Sequence, residues 1–210
     1  MQRKQEQTEK SPKTVRENGL LARIKSDLTV FGNVRALCVC AMLAAMSLIL
    51  EKFLQIPNPF QEIIRISFGN LPLILSGLVF GPFMGAMTGA VADLLGCALY
   101  GYPINPLITL GAASVGFVAG IVANYLLFSP RWDTIRIVLA TVDAHFVGSV
   151  LIKSFGLAAW YLGSYDMGFI ELVLWRLLTY TIVGTAECVL LCILLRHRAI
   201  TSLLERIRKK

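Results

Sequence analysis

Beyond a polar lead, the sequence runs as apolar stretches interrupted by short breaks rich in proline, glycine and charge. The first stretch, 35–55 (RALCVCAMLAAMSLILEKFLQ), gives way to IPNPFQEIIRIS, where two prolines stop a regular element. A second, short stretch starts near Phe68 and ends at the FGPF turn around Gly81 and Pro82. The third runs 83–100, the turn YGYPINP follows, and the fourth covers 107–128 up to SPRWD. The fifth, 134–162, and the sixth, 169–195, are separated by GSYDMG. A bilayer-spanning helix needs roughly 20 mostly apolar residues. The pattern therefore predicts an all-α integral membrane protein, a six-transmembrane-helix bundle spanning 35–195. The lead 1–34 contains NGLLARIKSDLTVF, which predicts a short amphipathic helix on the membrane surface. Residues 196–210 form a basic tail.

Composition strengthens this reading. Hydrophobic residues make up 56% of the 210 and charged residues 16%, against about 25% charged in soluble domains. Mean hydropathy is +0.67. One polytopic membrane domain is expected rather than a soluble domain with an anchor. A signal peptide is not expected, because the first 35 residues are polar and no short apolar core with a cleavage site follows.

Charge sets the expected orientation. Six spans place both termini on one side. Eight Lys and Arg lie in the chain through Arg35, two between spans four and five (Arg131 and Arg136), and six from Arg196 onward, so sixteen of the twenty fall on one face. By the positive-inside rule both termini are cytoplasmic. The net charge of +7 is then a topology signal and an attraction to anionic membrane lipid. Nucleic-acid binding is not expected, since no aromatic-interleaved basic patch accompanies the charge.

The five cysteines, Cys38, Cys40, Cys97, Cys188 and Cys192, lie inside apolar stretches and form no CxxC pair. They read as small packing residues. No metal site, cofactor or disulfide framework is expected.

Ionisable groups at membrane depth carry the chemistry. Each costs at least ~2.5 kcal/mol at a helix centre. Asp93 lies about ten residues into span three, roughly 15 Å from its cytoplasmic end. Arg176 and Lys153 lie toward the outer ends of spans six and five. Tyr100, Tyr102 and Asn105 mark the outer turn between spans three and four. An outward-opening cavity holding one carboxylate and two cations satisfies all three charges. A structural Asp93–Arg176 ion pair is the alternative. Asp143, His145 and Glu187 fall deeper. His145 reads as a proton relay or as hydrogen-bonded packing, and Glu187 as a helix-packing or partner contact.

Gly81, Gly85, Gly89 and Asp93 recur every four residues, on one helical stripe. Gly85-xxx-Gly89, Gly116-xxx-Gly120 and Ala41-xxx-Ala45 fit close helix contact in lipid, where small residues let backbones approach. Each serves packing within the bundle or, for Ala41 and Ala45, a docking face for another membrane protein. No GxxxxGK[ST], GxSxG or HExxH occurs, so an enzyme is not expected and any uphill movement draws energy from elsewhere.

With its basic lead, Ala-xxx-Ala first span and proline-bearing outer loop leading into RISFGNLPLILSGLVFGPFMGAMTGAVADLLG, the chain resembles the substrate-binding S component of energy-coupling factor vitamin transporters, over essentially the whole of 35–195. The stretch 65–96 is most similar to the folate-specific branch. The resemblance implies a six-helix, multi-pass protein of the bacterial cytoplasmic membrane that binds one vitamin near the outer face. It implies docking onto a transmembrane coupling subunit carrying two cytoplasmic ATPases, with helices one to three, including Ala41 and Ala45, as the docking face. Folate suits the charges: Asp93 can accept from a pterin-like ring, Arg176 or Lys153 can hold glutamate carboxylates, and Phe68, Tyr100 or Trp160 can stack on a flat ring. Outer loops at 57–60 and 100–105 would close the site. Riboflavin, pantothenate or a thiamine-like ligand remain alternatives, as does a non-transport integral membrane protein.

Overall fold

A computed structural model describes residues 24–25, 27–55, 67–126, 133–161 and 168–209. Within them the secondary structure is helical throughout, with no strand. The helices are α1 (Val34–Phe53), α2 (Asn70–Phe80), α3 (Pro82–Tyr100), α4 (Pro106–Ile121), α5 (Thr134–Ala144), α6 (Lys153–Tyr161), α7 (Phe169–Arg196) and α8 (Arg198–Lys209). Val122–Leu126 extends α4 as a π-helix, and the π-helix His145–Ile152 joins α5 to α6. Five helical rods among the described residues are long and apolar enough to cross a membrane: Val34–Phe53, Pro82–Tyr100, Pro106–Leu126, Thr134–Ala159 and Phe169–Arg196. Asn70–Phe80 is a shorter apolar helix.

The expected stretches reappear as helices within a few residues of their predicted ends, with three differences. The fifth stretch is not one regular α-helix, because its middle is wound as π-helix. The basic tail, for which no element is predicted, is largely helical: α8 packs against the bundle through Leu204, with Ile200 and Ile207 partly buried. In the lead, residues 24–25 and 27–29 are helical and Val30–Gly32 forms a 3-10 turn; the rest of the expected amphipathic segment lies outside the described residues. So does the loop 57–60.

Sequence chemistry sets the element ends. Asn33 caps α1 by accepting from the Arg35 N–H (3.1 Å), and Asn105 caps α4 by accepting from the Leu107 N–H (3.0 Å), with Pro106 at the first helical position. Between α2 and α3 the chain reverses at Gly81, whose φ of 98° suits glycine, and Pro82 opens α3. A side chain at Gly81 would also run into the Asp27 carboxylate.

The glycine stripe packs inside the molecule. Gly85 lies directly against Gly116, Gly89 against Ala112, Gly120 against Pro82, and Gly77 against Gly116, all at backbone contact. A side chain at any of them would collide with main chain, so α2, α3 and α4 close into a tight triplet. Ten of the eleven residues of α2 are buried in the protein. By contrast Ala41 and Ala45 lie on the exposed face of α1, beside exposed Met42 and Met46.

The two ends of the bundle differ. At one end, the Asn33 side-chain N–H donates to the Ile207 carbonyl (2.6 Å) and the Tyr125 hydroxyl donates to Asp27 (2.6 Å). The start of α1 and the C-terminal helix thus meet beside the α2–α3 turn. At the opposite end lie the last turns of α1 and α3, the loop before α4, and the first half of α7.

Candidate functional site

That opposite end holds a cavity of about 610 Å³. Its lining includes Asp93 from α3, Asn105 from the loop, Lys153 from α6 and Arg176 from α7. Four of the polar side chains expected from sequence thus come together from four separate elements. Tyr102 and Pro103 of the 100–105 loop also line the cavity.

Each of these groups is held differently. Asp93 continues the α3–α4 seam beyond Gly89 and accepts from the Thr109 hydroxyl (2.6 Å). The stripe therefore ends on a carboxylate that both ties the seam and faces the cavity. Asn105 is buried, its side chain donating to the Gly156 carbonyl (3.0 Å) while capping α4. Lys153 passes its aliphatic stem over Gly111, where any side chain would collide with it. Arg176 is 3% exposed. Its Nε and one terminal nitrogen both donate to the Ser149 carbonyl (3.0 and 2.5 Å), and its guanidinium lies 5.3 Å from the Tyr180 ring centroid.

The π-helix explains the Arg176 contact. The Lys153 N–H reaches back five residues to the Gly148 carbonyl rather than four to Ser149. The Ser149 carbonyl is thereby presented to α7, and the Ser149 hydroxyl accepts from the Asn70 side chain (3.1 Å). Such local π winding recurs at functional sites.

Among the described residues, no carboxylate lies within ion-pair distance of Arg176 or Lys153, and Asp93 pairs with neither. The expected alternative of a structural Asp93–Arg176 pair is not formed. The cavity thus presents two carboxylates, Asp93 and Glu51, and two cations that have no carboxylate within ion-pair distance among the described residues.

Two other sequence-expected residues lie outside the lining. Tyr100 turns toward α1: its hydroxyl donates to the Leu48 carbonyl (3.2 Å) and Lys52 sits over its ring (5.1 Å). Phe68 is half-buried at the rim, between lining residues Ser67 and Gly69. The side chain of Trp160 lies outside the described residues. Conversely, Tyr180, Asn70 and Glu51 line the cavity without having been singled out. Tyr180 sits one turn after Arg176, a spacing that pointed to it. The role of the Ser149 carbonyl had no signal in the side-chain pattern. Deeper in the bundle, His145 and Glu187 share a hydrogen bond of 2.7 Å.

The sequence model of the family described as "ECF transporter, substrate-specific component" matches residues 35–196. The chain belongs to this family. ECF substrate-specific components are transporter binding subunits rather than enzymes, and with five apolar spans among its described helices this one is a multi-pass membrane protein. The chain is similar to "Folate transporter FolT" of Clostridium novyi (strain NT), with 30% identity over 108 residues. The aligned part is 51% of this chain and 59% of that relative's length. Its fold is similar to that in "Crystal structure of FolT bound with folic acid", with a TM-score of 0.60 and 22% identity, covering 76% of this chain and 93% of that one.

Proposed function

We propose that this ECF component captures folate from outside the cell for import across the bacterial plasma membrane. In this reading residues 35–195 form six spans with α2 as the short one, and the lead 1–34 and the tail 196–210 are both cytoplasmic. The cavity opens outward. Asp93, Lys153 and Arg176 hold the ligand, Asn105 and Tyr102 close its rim, and Tyr100 and Phe68 brace that rim from outside. The chain docks through the α1 face bearing Ala41 and Ala45 onto a transmembrane coupling subunit with two cytoplasmic ATPases.

The observation that carries this reading is the pair of cations with no carboxylate in ion-pair distance among the described residues, in a cavity that also offers Asp93. A buried cation gains most from an anion with bidentate geometry. A ligand that fits has anionic carboxylates at one end and ring donors at the other. Folate has both: a glutamate tail for Arg176 or Lys153, and a pterin ring whose N–H groups can reach Asp93. The volume falls inside the roughly 300–1,000 Å³ range of small-molecule sites. The similarity to the folate transporter of Clostridium novyi supports the choice.

Isothermal titration of the detergent-solubilised chain with folic acid tests the proposal. Saturable one-to-one binding is expected, with riboflavin and pantothenate giving no heat. Absence of folic acid binding alongside binding of another vitamin would sink the folate reading.

A further inference from the structure

The His145–Glu187 pair does not line the cavity, yet it is built at high cost. His145 is 4% exposed and Glu187 is fully buried. Among the described residues, His145 Nδ1 and Glu187 Oε1 have no hydrogen-bond partner. A half-satisfied buried carboxylate is a poor way to join two helices, since apolar side chains of similar volume join them at lower cost. The pair therefore holds something that apolar packing would not.

Its neighbours identify what is held. The His145 ring stacks on Tyr180, with centroids 5.3 Å apart and planes at 28°. Gly184 gives the imidazole its room, since a Cβ there would lie 3.1 Å from His145 Cδ2. Tyr180 in turn carries the Arg176 guanidinium 5.3 Å from its ring centroid. Residues 176, 180, 184 and 187 share one face of α7. A column results: carboxylate, imidazole, phenol ring, guanidinium. Its upper members, Tyr180 and Arg176, line the cavity, and its lower members do not. An imidazole is oriented by the hydrogen bond that its ring nitrogen makes. Remove the carboxylate and the imidazole can turn, Tyr180 loses the flat surface beneath it, and Arg176 loses a fixed aromatic face.

We propose that His145 and Glu187 are a positioning pair for the ligand cavity, fixing Tyr180 and through it Arg176 without touching the ligand. The inference rests on the reading of the cavity as a folate site. Two measurements on the full chain in detergent separate it from that reading. The first needs no ligand: 3-fluorotyrosine is incorporated and the Tyr180 resonance assigned by its loss in Tyr180→Phe. Glu187→Leu should displace that resonance, and Glu187→Gln, which keeps an oxygen acceptor for His145, should leave it near its original position. An unmoved resonance in Glu187→Leu overturns the proposal whatever the ligand is.

The second is a double-mutant cycle read by folic acid titration. Glu187→Leu should weaken binding about tenfold in the wild-type background and leave it unchanged in the Tyr180→Leu background, the coupling expected of neighbours acting through one another. Glu187→Gln should restore affinity to within about twofold of the wild type. Equal losses in both backgrounds would assign the pair a merely structural role and overturn the proposal. If Glu187→Leu does not fold, His145→Gln replaces it in both measurements, keeping a donor for Glu187 while removing the ring beneath Tyr180. Failure of the unaltered chain to bind folic acid defeats the folate reading alone, and the fluorine measurement then decides the positioning claim.

Discussion

Arg176 shows how one residue can be structural and functional at once. Two of its nitrogens are spent on the Ser149 carbonyl, and its ring neighbour is Tyr180. Neither neutralises its charge, and among the described residues no carboxylate does. Replacing Arg176 by Ala should weaken folic acid binding by roughly 1.5–3 kcal/mol, the range for hydrogen bonds to charged groups. The loss should be larger for folic acid than for a pterin lacking the glutamate tail, and calorimetry with both ligands measures the difference. Equal losses would show that Arg176 does not hold the tail. At this scale the sequence exposed side chains but not their geometry. Asp93, Lys153 and Arg176 announced themselves because charge in an apolar stretch is costly. Tyr180 was readable from its spacing to Arg176. Tyr100 was misleading, since its position in the outer turn suits a ligand contact equally well, and only the fold turns it toward Leu48. The Ser149 carbonyl belongs to the backbone and depends on π winding, which apolar periodicity does not encode.

At the scale of helices, small residues divide into two kinds. Gly85, Gly89 and Gly116 are consumed inside the α2–α3–α4 triplet, where main chain meets main chain. Ala41 and Ala45 are left on an exposed face of α1. The spacing motif is the same in both; burial shows only that the glycines pack inside the bundle and the two alanines do not. Trp in place of Ala41 or Ala45 should therefore leave folic acid binding by the isolated chain nearly intact while abolishing uptake in cells that carry the partner subunits. Titration of purified protein and a radiolabelled uptake assay, run in parallel, check both halves. Joint loss of binding and uptake would assign these alanines to internal packing.

The molecule as a whole has two unlike ends. The Asn33–Ile207 hydrogen bond brings the start of α1 and the C-terminal helix together, far from the cavity. The basic residues of the lead and tail cluster toward that end in sequence, and the proposed topology follows from them: under the positive-inside rule that end is cytoplasmic. Cysteines introduced at positions 10 and 205 should resist a membrane-impermeant maleimide in intact cells and react after permeabilisation. Labelling from outside would reverse the topology and turn the cavity toward the cytoplasm. The helical order and the limits of the long spans were legible because lipid demands about twenty apolar residues in a row. The pairing of α8 with the bundle left a subtler signal, since Ile200, Leu204 and Ile207 recur at i, i+4 and i+7 among the charges of a short tail.

The short α2 also bears on how the chain is made. Eleven residues rise only about 16 Å, half of a hydrocarbon layer about 30 Å thick. In the six-span topology proposed above, such a segment leaving the ribosome cannot settle in lipid alone; it waits for α3 to emerge and enters with it as a hairpin folded at Gly81 and Pro82. Synthesis order is thereby written into the turn. In a glycosylation-reporter host, residues 67–81 alone should fail to integrate, whereas 67–101 should integrate with both flanks on the same side of the membrane.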